Sequence, residues 1–101
     1  MQKAARDMRI KEEYRLQELG DDHLLIGPAA GPGRRIVRLN ESAAFLWRSV
    51  AARPAAEGRD FSVAVLADLL QARYGLDPAT ATRDARSIAA AWQESGVVEE
   101  R

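Results

Sequence analysis

Apolar and polar residues alternate in the first part of the chain. Ile10, Tyr14 and Leu16 occupy even positions, while the odd positions between and after them are charged or polar. This period of two is typical of a half-buried strand. A turn at Gly20–Asp22 and the apolar run His23–Ile26 come next, so a second strand is predicted to form a hairpin with the first.

The stretch from Arg34 to Val50, RRIVRLNESAAFLWRSV, predicts a third strand that passes directly into a helix. The strand contains Ile36, Val37 and Leu39. Asn40 should end it and cap the helix, because an Asn side chain can accept a hydrogen bond from a free backbone N–H in the first turn. One face of that helix is apolar at three- and four-residue spacing. Its residues are Ala43, Leu46, Trp47 and Val50.

Capping signals mark two further helices. Val63–Tyr74 lies between the N-cap candidate Ser62 and Gly75, a residue suited to the left-handed position after a helix. Asp77 followed by Pro78 predicts the start of a third helix, since Pro is well tolerated at the first helical position. The apolar face of this third helix comprises Ala81, Ala85, Ile88 and Trp92, with Ala89 and Ala91 at its flanks.

Gly and Pro interrupt the pattern twice, at Gly27–Gly33 and within Arg53–Asp60. Pro has no N–H to donate, so no strand pairing is expected through the first of these segments, which is predicted to be a mobile connection. A phosphate-binding loop is a poor alternative, because the GxxxxGK[ST] spacing is missing and a strand follows. Residues 1–9 are predicted to be a flexible tail, and the charged end Glu99–Arg101 a solvated one.

These elements predict one α+β domain over residues 10–100, with a three-stranded antiparallel sheet followed by three helices in a winged helix-turn-helix-like arrangement. Fifteen basic residues balance fifteen acidic ones among 101, which argues against a protein that coats nucleic acid or an anionic membrane. The absence of Cys excludes disulfides and thiolate sites. No apolar stretch approaches the ~20 residues of a membrane span, so a cytoplasmic location is expected by default.

Candidate catalytic residues are few. His23, the single imidazole, stands beside Asp21 and Asp22, but a turn accounts for this sequence and nothing places a nucleophile or a second metal ligand nearby. No catalytic residue, metal or cofactor is therefore predicted. Trp47 and Trp92 recur with other apolar residues at helical spacing and are predicted to be buried in one core.

The segment LNESAAFLW, Leu39–Trp47, resembles the signature of the PqqD-like proteins, in which a strand ending in Leu-Asn passes straight into a helix with an aromatic residue near its middle. Further segments agree in order: YRLQEL, HLLIG, ARYGLDPATATRDA and SGVVEE. The similarity covers Ile10–Glu100. Two loops, GPAAGPG and RPAAEGRD, are longer than those the family commonly shows.

This resemblance implies a non-catalytic peptide-binding chaperone. Such proteins hold the leader of a ribosomally made precursor peptide as an added strand and present the peptide to a modifying enzyme, often a radical-SAM enzyme. In the family the leader lies along the third strand, in the cleft with the third helix. The corresponding candidates are Arg34, Arg35, Ile36, Val37 and Arg38 on the strand, and Arg83, Arg86 and Ala90 on the helix.

The three strand arginines could steer acidic leader residues, although charges on an edge strand also prevent aggregation. An alternative is a winged-helix DNA-binding regulator, but the third helix offers only Arg83, Arg86 and Gln93 among alanines and acidic residues. Another alternative is a docking or dimerisation module. The expected partners are a leader peptide and its modifying enzyme, without nucleic acid or membrane, and the chain is expected to be a monomer or a weak homodimer.

Overall fold

The computed structural model describes residues 7–30, 33–53 and 60–100. Within these ranges the chain forms six strands and three helices, and the predicted α+β class is confirmed. The elements in chain order are β1 Met8–Ile10, β2 Arg15–Leu19, β3 Asp22–Ala30, β4 Gly33–Leu39, α1 Glu41–Ala51, β5 Asp60–Phe61, α2 Val63–Tyr74, α3 Pro78–Ser95 and β6 Val98–Glu100.

The predicted three-stranded antiparallel sheet is present, with the order β2-β3-β4. One prediction about its first strand is wrong, because the alternation that begins at Ile10 belongs to two strands. A turn separates them, in which the Tyr14 N–H donates to the Lys11 carbonyl at 3.1 Å. Ile10 therefore lies in β1, outside this sheet, while Tyr14 and Leu16 are half-buried at its inner face.

A second small sheet, with the order β5-β1-β6, was not predicted. Met8 pairs with Phe61 and Glu100, so the predicted flexible tail of residues 1–9 is wrong at Met8 and Arg9; residues 1–6 lie outside the described residues. Glu99 likewise lies in β6 instead of a solvated tail. These strands are only two or three residues long, and their partners lie far away in the sequence. They are too short to show the alternation of apolar and polar residues that predicts a strand.

The Gly27–Gly33 segment also differs from its prediction. β3 continues to Ala30, and the β3–β4 ladder resumes with Ala29 opposite Arg34. The register shifts between Ile26 and Ala29, and Pro28 falls within this irregularity, where a residue without an N–H is tolerated. Residues 31–32 lie outside the described residues. In the second Gly- and Pro-containing segment, residues 54–59 also lie outside the described residues, and Asp60 belongs to β5.

The three helices begin where their capping residues predict. The α2 bounds coincide with the predicted Val63–Tyr74, and Gly75 and Gly96 adopt φ of 69° and 75°, the left-handed conformation that closes a helix. Each cap side chain accepts from a backbone N–H three residues later. These pairs are Ala43 N–Asn40 Oδ1 at 2.8 Å, Val65 N–Ser62 Oγ at 3.4 Å and Thr80 N–Asp77 Oδ2 at 3.1 Å.

The core forms around Trp47 of α1 and Trp92 of α3, which are 2% and 1% exposed, as predicted. Their rings meet edge to face with centroids 5.3 Å apart, and Phe61 contacts Trp92 at 5.8 Å in the same way. The buried face of α3 is slightly rotated from the predicted one. Ala89 is buried while Ile88 is only half-buried, so Ile88 is available at the margin of the core.

Candidate functional site

β4 forms one edge of the β2-β3-β4 sheet. No strand of the described residues pairs with its far side. Within β4 the Ile36 side chain is exposed, that of Val37 is half-buried against the core, and that of Leu39 is buried at the point where the chain enters α1. The direct passage through Asn40 therefore holds the end of this edge strand against the helical layer.

The register of the sheet decides which backbone groups of β4 face this open edge. Gly20 has φ 62°, and none of the described non-glycine residues, Asp21 included, has positive φ. Gly20–Asp21 therefore forms a two-residue II′-type turn. In such a hairpin the flanking pair, Leu19 and Asp22, is a hydrogen-bonded pair.

Hydrogen-bonded and non-hydrogen-bonded pairs alternate along an antiparallel ladder. Counting from the turn, the Asp22 and Leu24 backbones face β2, and those of His23 and Leu25 face β4. Leu25 is opposite Val37. The N–H and C=O of Val37 are therefore engaged by β3, while those of Ile36 and of Arg38 face the open edge.

A cleft of about 220 Å³ lies between the end of β4 and α3. We call it the β4–α3 cleft. Its walls combine buried apolar atoms with a few polar groups, a composition suited to one side chain of a bound chain. It is lined by Arg38, Leu39, Asn40, Ala43, Ser87, Ile88 and Ala91.

The α3 arginines lie beside this cleft. Arg83 and Arg86 are exposed and line a shallow depression on the outer face of α3 that shares Ser87 with the β4–α3 cleft. Because both guanidinium groups lie on the same side of the helix, this side of the cleft carries positive charge.

The structure thus brings some of the predicted site residues together. Arg38 lines the cleft, Arg83 and Arg86 flank it, and Ile36 and Val37 lie on the adjoining strand. Ala90 is exposed and lines neither depression. The backbones of Arg34 and Arg35 belong to β4, but their side chains lie outside the described residues.

Sequence reasoning missed most of the cleft lining. The helical spacing predicts Ile88 on the apolar core face of α3 and Ala91 only at a flank of that face. Nothing in the sequence marks Ser87 as a lining residue, and Ala43 is predicted only as part of the apolar face of α1, because small residues become part of a cleft only through the way that neighbouring elements pack.

A polar cluster occupies the end of the sheet nearest the β2–β3 turn. The Glu18 carboxylate pairs with the Arg48 guanidinium and lies 3.3 Å from His23 Nδ1. The His23 contact lacks hydrogen-bond alignment, since the same nitrogen is buried without a hydrogen-bond partner. We interpret the cluster as an ion pair that links β2 to α1. Among the described residues, no group of three or more His, Asp or Glu side chains could hold a metal ion.

Comparisons with known proteins bear on this arrangement. The family model for coenzyme PQQ synthesis protein D, PqqD, matches residues 23–98, about three quarters of the chain. The chain belongs to the PqqD family. No curated protein sequence matches it significantly.

One solved structure with the same fold is TbiB1 in complex with the TbiA(beta) leader peptide. It superposes with a TM-score of 0.60 at 19% identity, over 90% of this chain and 94% of TbiB1. The fold shared with TbiB1 therefore covers most of this chain. No helix in the described part of the chain combines the length and apolarity of a membrane span.

Proposed function

We propose that this PqqD-family protein binds the leader of a ribosomally made precursor peptide as an additional strand on β4. The observation that carries the proposal is the open edge of β4 directly beside the β4–α3 cleft. TbiB1, which shares the fold, forms a complex with a leader peptide.

The geometry suits β-strand addition. The outward N–H and C=O groups of Ile36 and Arg38 would pair with the leader backbone and provide affinity that depends little on its sequence. Side chains alternate along an added strand, so every second leader residue would point towards the β4–α3 cleft, where Leu39 and Ile88 favour an apolar side chain. Arg83 and Arg86 would favour acidic leader residues nearby.

The role assigned to the chain is that of a non-catalytic chaperone. The bound leader would hold the rest of the precursor for a modifying enzyme, a radical-SAM enzyme in many pathways that use proteins resembling this one. Binding needs no cofactor, and the proposed location is the cytoplasm. The proposed site comprises the predicted β4 residues, the cleft lining, and Arg83 and Arg86 beside the cleft.

Proline substitutions test the added strand. Ile36→Pro removes an outward donor, so it should weaken leader binding by about twofold to twelvefold, the effect of one net hydrogen bond of ~0.5–1.5 kcal/mol. The edge of a sheet tolerates Pro where the lost N–H faced outwards. Ile36→Val is the matched control, because it keeps the N–H and most of the side chain. The measurement is titration calorimetry with a synthetic leader from the precursor encoded next to the gene.

Val37→Pro should behave differently. Its N–H is engaged by β3, so this variant should lose thermal stability, whereas Ile36→Pro should retain the helix content and melting temperature of the wild type within a few degrees. A folded Ile36→Pro that binds the leader as tightly as Ile36→Val would show that the peptide does not add to β4.

A charge reversal tests the α3 side of the site. Arg86→Glu should weaken binding of a leader with acidic residues by ~1 kcal/mol or more, and the loss should shrink as salt increases. Arg73→Glu on α2 makes the same change of net charge, and Arg73 lines neither the cleft nor the α3 depression. Equal losses in both variants would point to net charge instead of a local contact with Arg86.

A further inference from the structure

Side chains point alternately to the two faces of the β2-β3-β4 sheet along β4. Val37 and Leu39 point to the inner face, which packs on the core, and Ile36 and Arg38 point to the opposite, outer face. The β4–α3 cleft therefore receives only those leader residues that point to the inner face. The leader residues between them would lie beside Ile36 and Arg38.

The Ile36 side chain has an apolar neighbour on one side only. Ile26 of β3 lies directly opposite it and is half-buried. Ile36 is nevertheless 58% exposed, the highest value among the large apolar residues described, because its other side faces the open edge. An added strand would place a side chain beside Ile36 with their Cβ atoms ~4.5–5.5 Å apart. An apolar side chain at that position would remove apolar surface from water.

Arg38 is the next residue of β4 on the same face. It is exposed and forms no ion pair within the described part of the chain. Its direct neighbour in β3 is Leu24, which cannot neutralise it, and Asp22 lies only diagonally across the pair of strands. A leader carboxylate beside Arg38 would therefore meet a guanidinium group that is free to pair with it.

We propose that the leader is recognised on both faces of the added strand, an inference that rests on the function proposed above. On the outer face, an apolar leader residue lies beside Ile36 and an Asp or Glu of the leader lies beside Arg38. Because Ile36 and Arg38 are two positions apart on one strand, the two leader residues are also two positions apart, whichever way the leader runs. The residue after the acidic one, on the side away from the apolar one, lies beside Leu39 and enters the β4–α3 cleft.

The contact with Arg38 differs from the attraction exerted by the α3 arginines. Arg83 and Arg86 lie on a helix, so strand pairing does not fix which leader residue they face. Arg38 belongs to β4 itself, and pairing with β4 fixes its neighbour in the leader. Only Arg38 should therefore require the acidic residue at one defined spacing from the apolar residue.

A phage-displayed library of random linear peptides tests this pattern without knowledge of the precursor. Peptides that bind the wild type are collected, and those that also bind Ile36→Pro are removed, because a peptide that adds to β4 needs the Ile36 N–H. The remaining peptides should share an apolar residue and an acidic residue two positions apart.

A charge exchange tests the acidic position. Selection on Arg38→Glu should change that position from acidic to basic and leave the apolar position unchanged. A synthetic peptide from the wild-type selection should bind Arg38→Glu at least about fivefold more weakly in titration calorimetry, and Lys in place of its acidic residue should restore most of the loss. Arg15→Glu is the matched control, because Arg15 is exposed on the same face but on β2, at the other edge of the sheet.

Ile36→Thr tests the apolar position. This variant keeps the backbone N–H and a β-branched side chain suited to a strand, so it should lose the selection for an apolar residue and keep that for an acidic one. Leu19→Thr is its matched control. Leu19 is 53% exposed on β2, and its variant should select the same peptides as the wild type.

The outcomes distinguish this inference from the proposed function. If every selected peptide also binds Ile36→Pro, neither the added strand nor its pattern of side chains stands. Peptides that need the Ile36 N–H but have no acidic residue at a fixed spacing would overturn this inference alone. So would peptides that keep the acidic residue when they are selected on Arg38→Glu. Circular dichroism confirms that each variant is folded.

Discussion

Two tryptophans pack α1, α3 and the small β5-β1-β6 sheet against one another. Trp47 and Trp92 meet edge to face, and Phe61 of β5 extends the aromatic cluster. Edge-to-face pairs contribute about 0.5–1.5 kcal/mol beyond the burial of their area. Individual side chains therefore connect elements that are distant in the sequence.

At this scale we expect Trp47→Ala and Trp92→Ala each to lower the free energy of unfolding by ~3–5 kcal/mol, the usual cost of a large-to-small change in a core. Trp92→Phe should cost much less. Trp92 Nε1 is buried without a hydrogen-bond partner in the described chain, so the change also removes an unsatisfied donor. Urea unfolding followed by circular dichroism measures all three. A loss below ~1 kcal/mol for both alanine variants would contradict the shared core.

The first residues of α3 cap its N-terminus. Asp77 accepts the Thr80 N–H, and Pro78 occupies the first turn. Hydrogen bonds from the Thr80 side chain and backbone lower the pKa of the Asp77 carboxyl below its ordinary value. Because α3 provides one wall of the β4–α3 cleft, the cap that stabilises the start of α3 also helps to keep that wall in place.

The lowered pKa predicts a pH dependence. A group whose pKa falls on folding stabilises the protein above its unfolded-state pKa, and this contribution is lost as acid protonates it in the folded state. The Asn side chain of Asp77→Asn accepts the same N–H but does not titrate. The wild type should therefore lose more thermal stability than Asp77→Asn between pH 7 and about pH 3. Parallel loss in both proteins, measured by thermal melts, would show that the cap does not respond to acid.

For the whole molecule, the formal net charge of zero argues against the alternative function of a winged-helix DNA-binding regulator. We expect no salt-sensitive binding to duplex DNA, because neutralising several phosphates requires concentrated positive charge and makes affinity fall steeply with salt. Arg83 and Arg86 are too few to provide it. Micromolar binding in a mobility shift at physiological salt would favour the DNA-binding function over the peptide-binding one.

Local chemistry made much of this architecture predictable from sequence. Asn40, Ser62 and Asp77 start their helices because a side-chain oxygen close in sequence satisfies a free N–H, and that contact needs no information from the rest of the fold. The hairpin of β2 and β3 and the burial of the two tryptophans follow equally local patterns. The sequence pattern from Leu39 to Trp47 also indicated the family that the comparison confirmed.

Contacts between distant segments were decided only by the tertiary structure. Met8 and Arg9 became a strand because Asp60–Phe61 and Val98–Glu100 lie on either side of them, and such short strands are stabilised by their neighbours instead of their own propensity. The cleft depends in the same way on where α3 packs, so small residues such as Ser87 and Ala91 line it without a sequence signal. The sequence indicated that β4 could be an edge strand. Which of its backbone groups face outwards depends on how the strands pair, because hydrogen-bonded and non-hydrogen-bonded pairs alternate along a ladder. The register counted from the turn at Gly20 shows that the backbones of Ile36 and Arg38 face outwards.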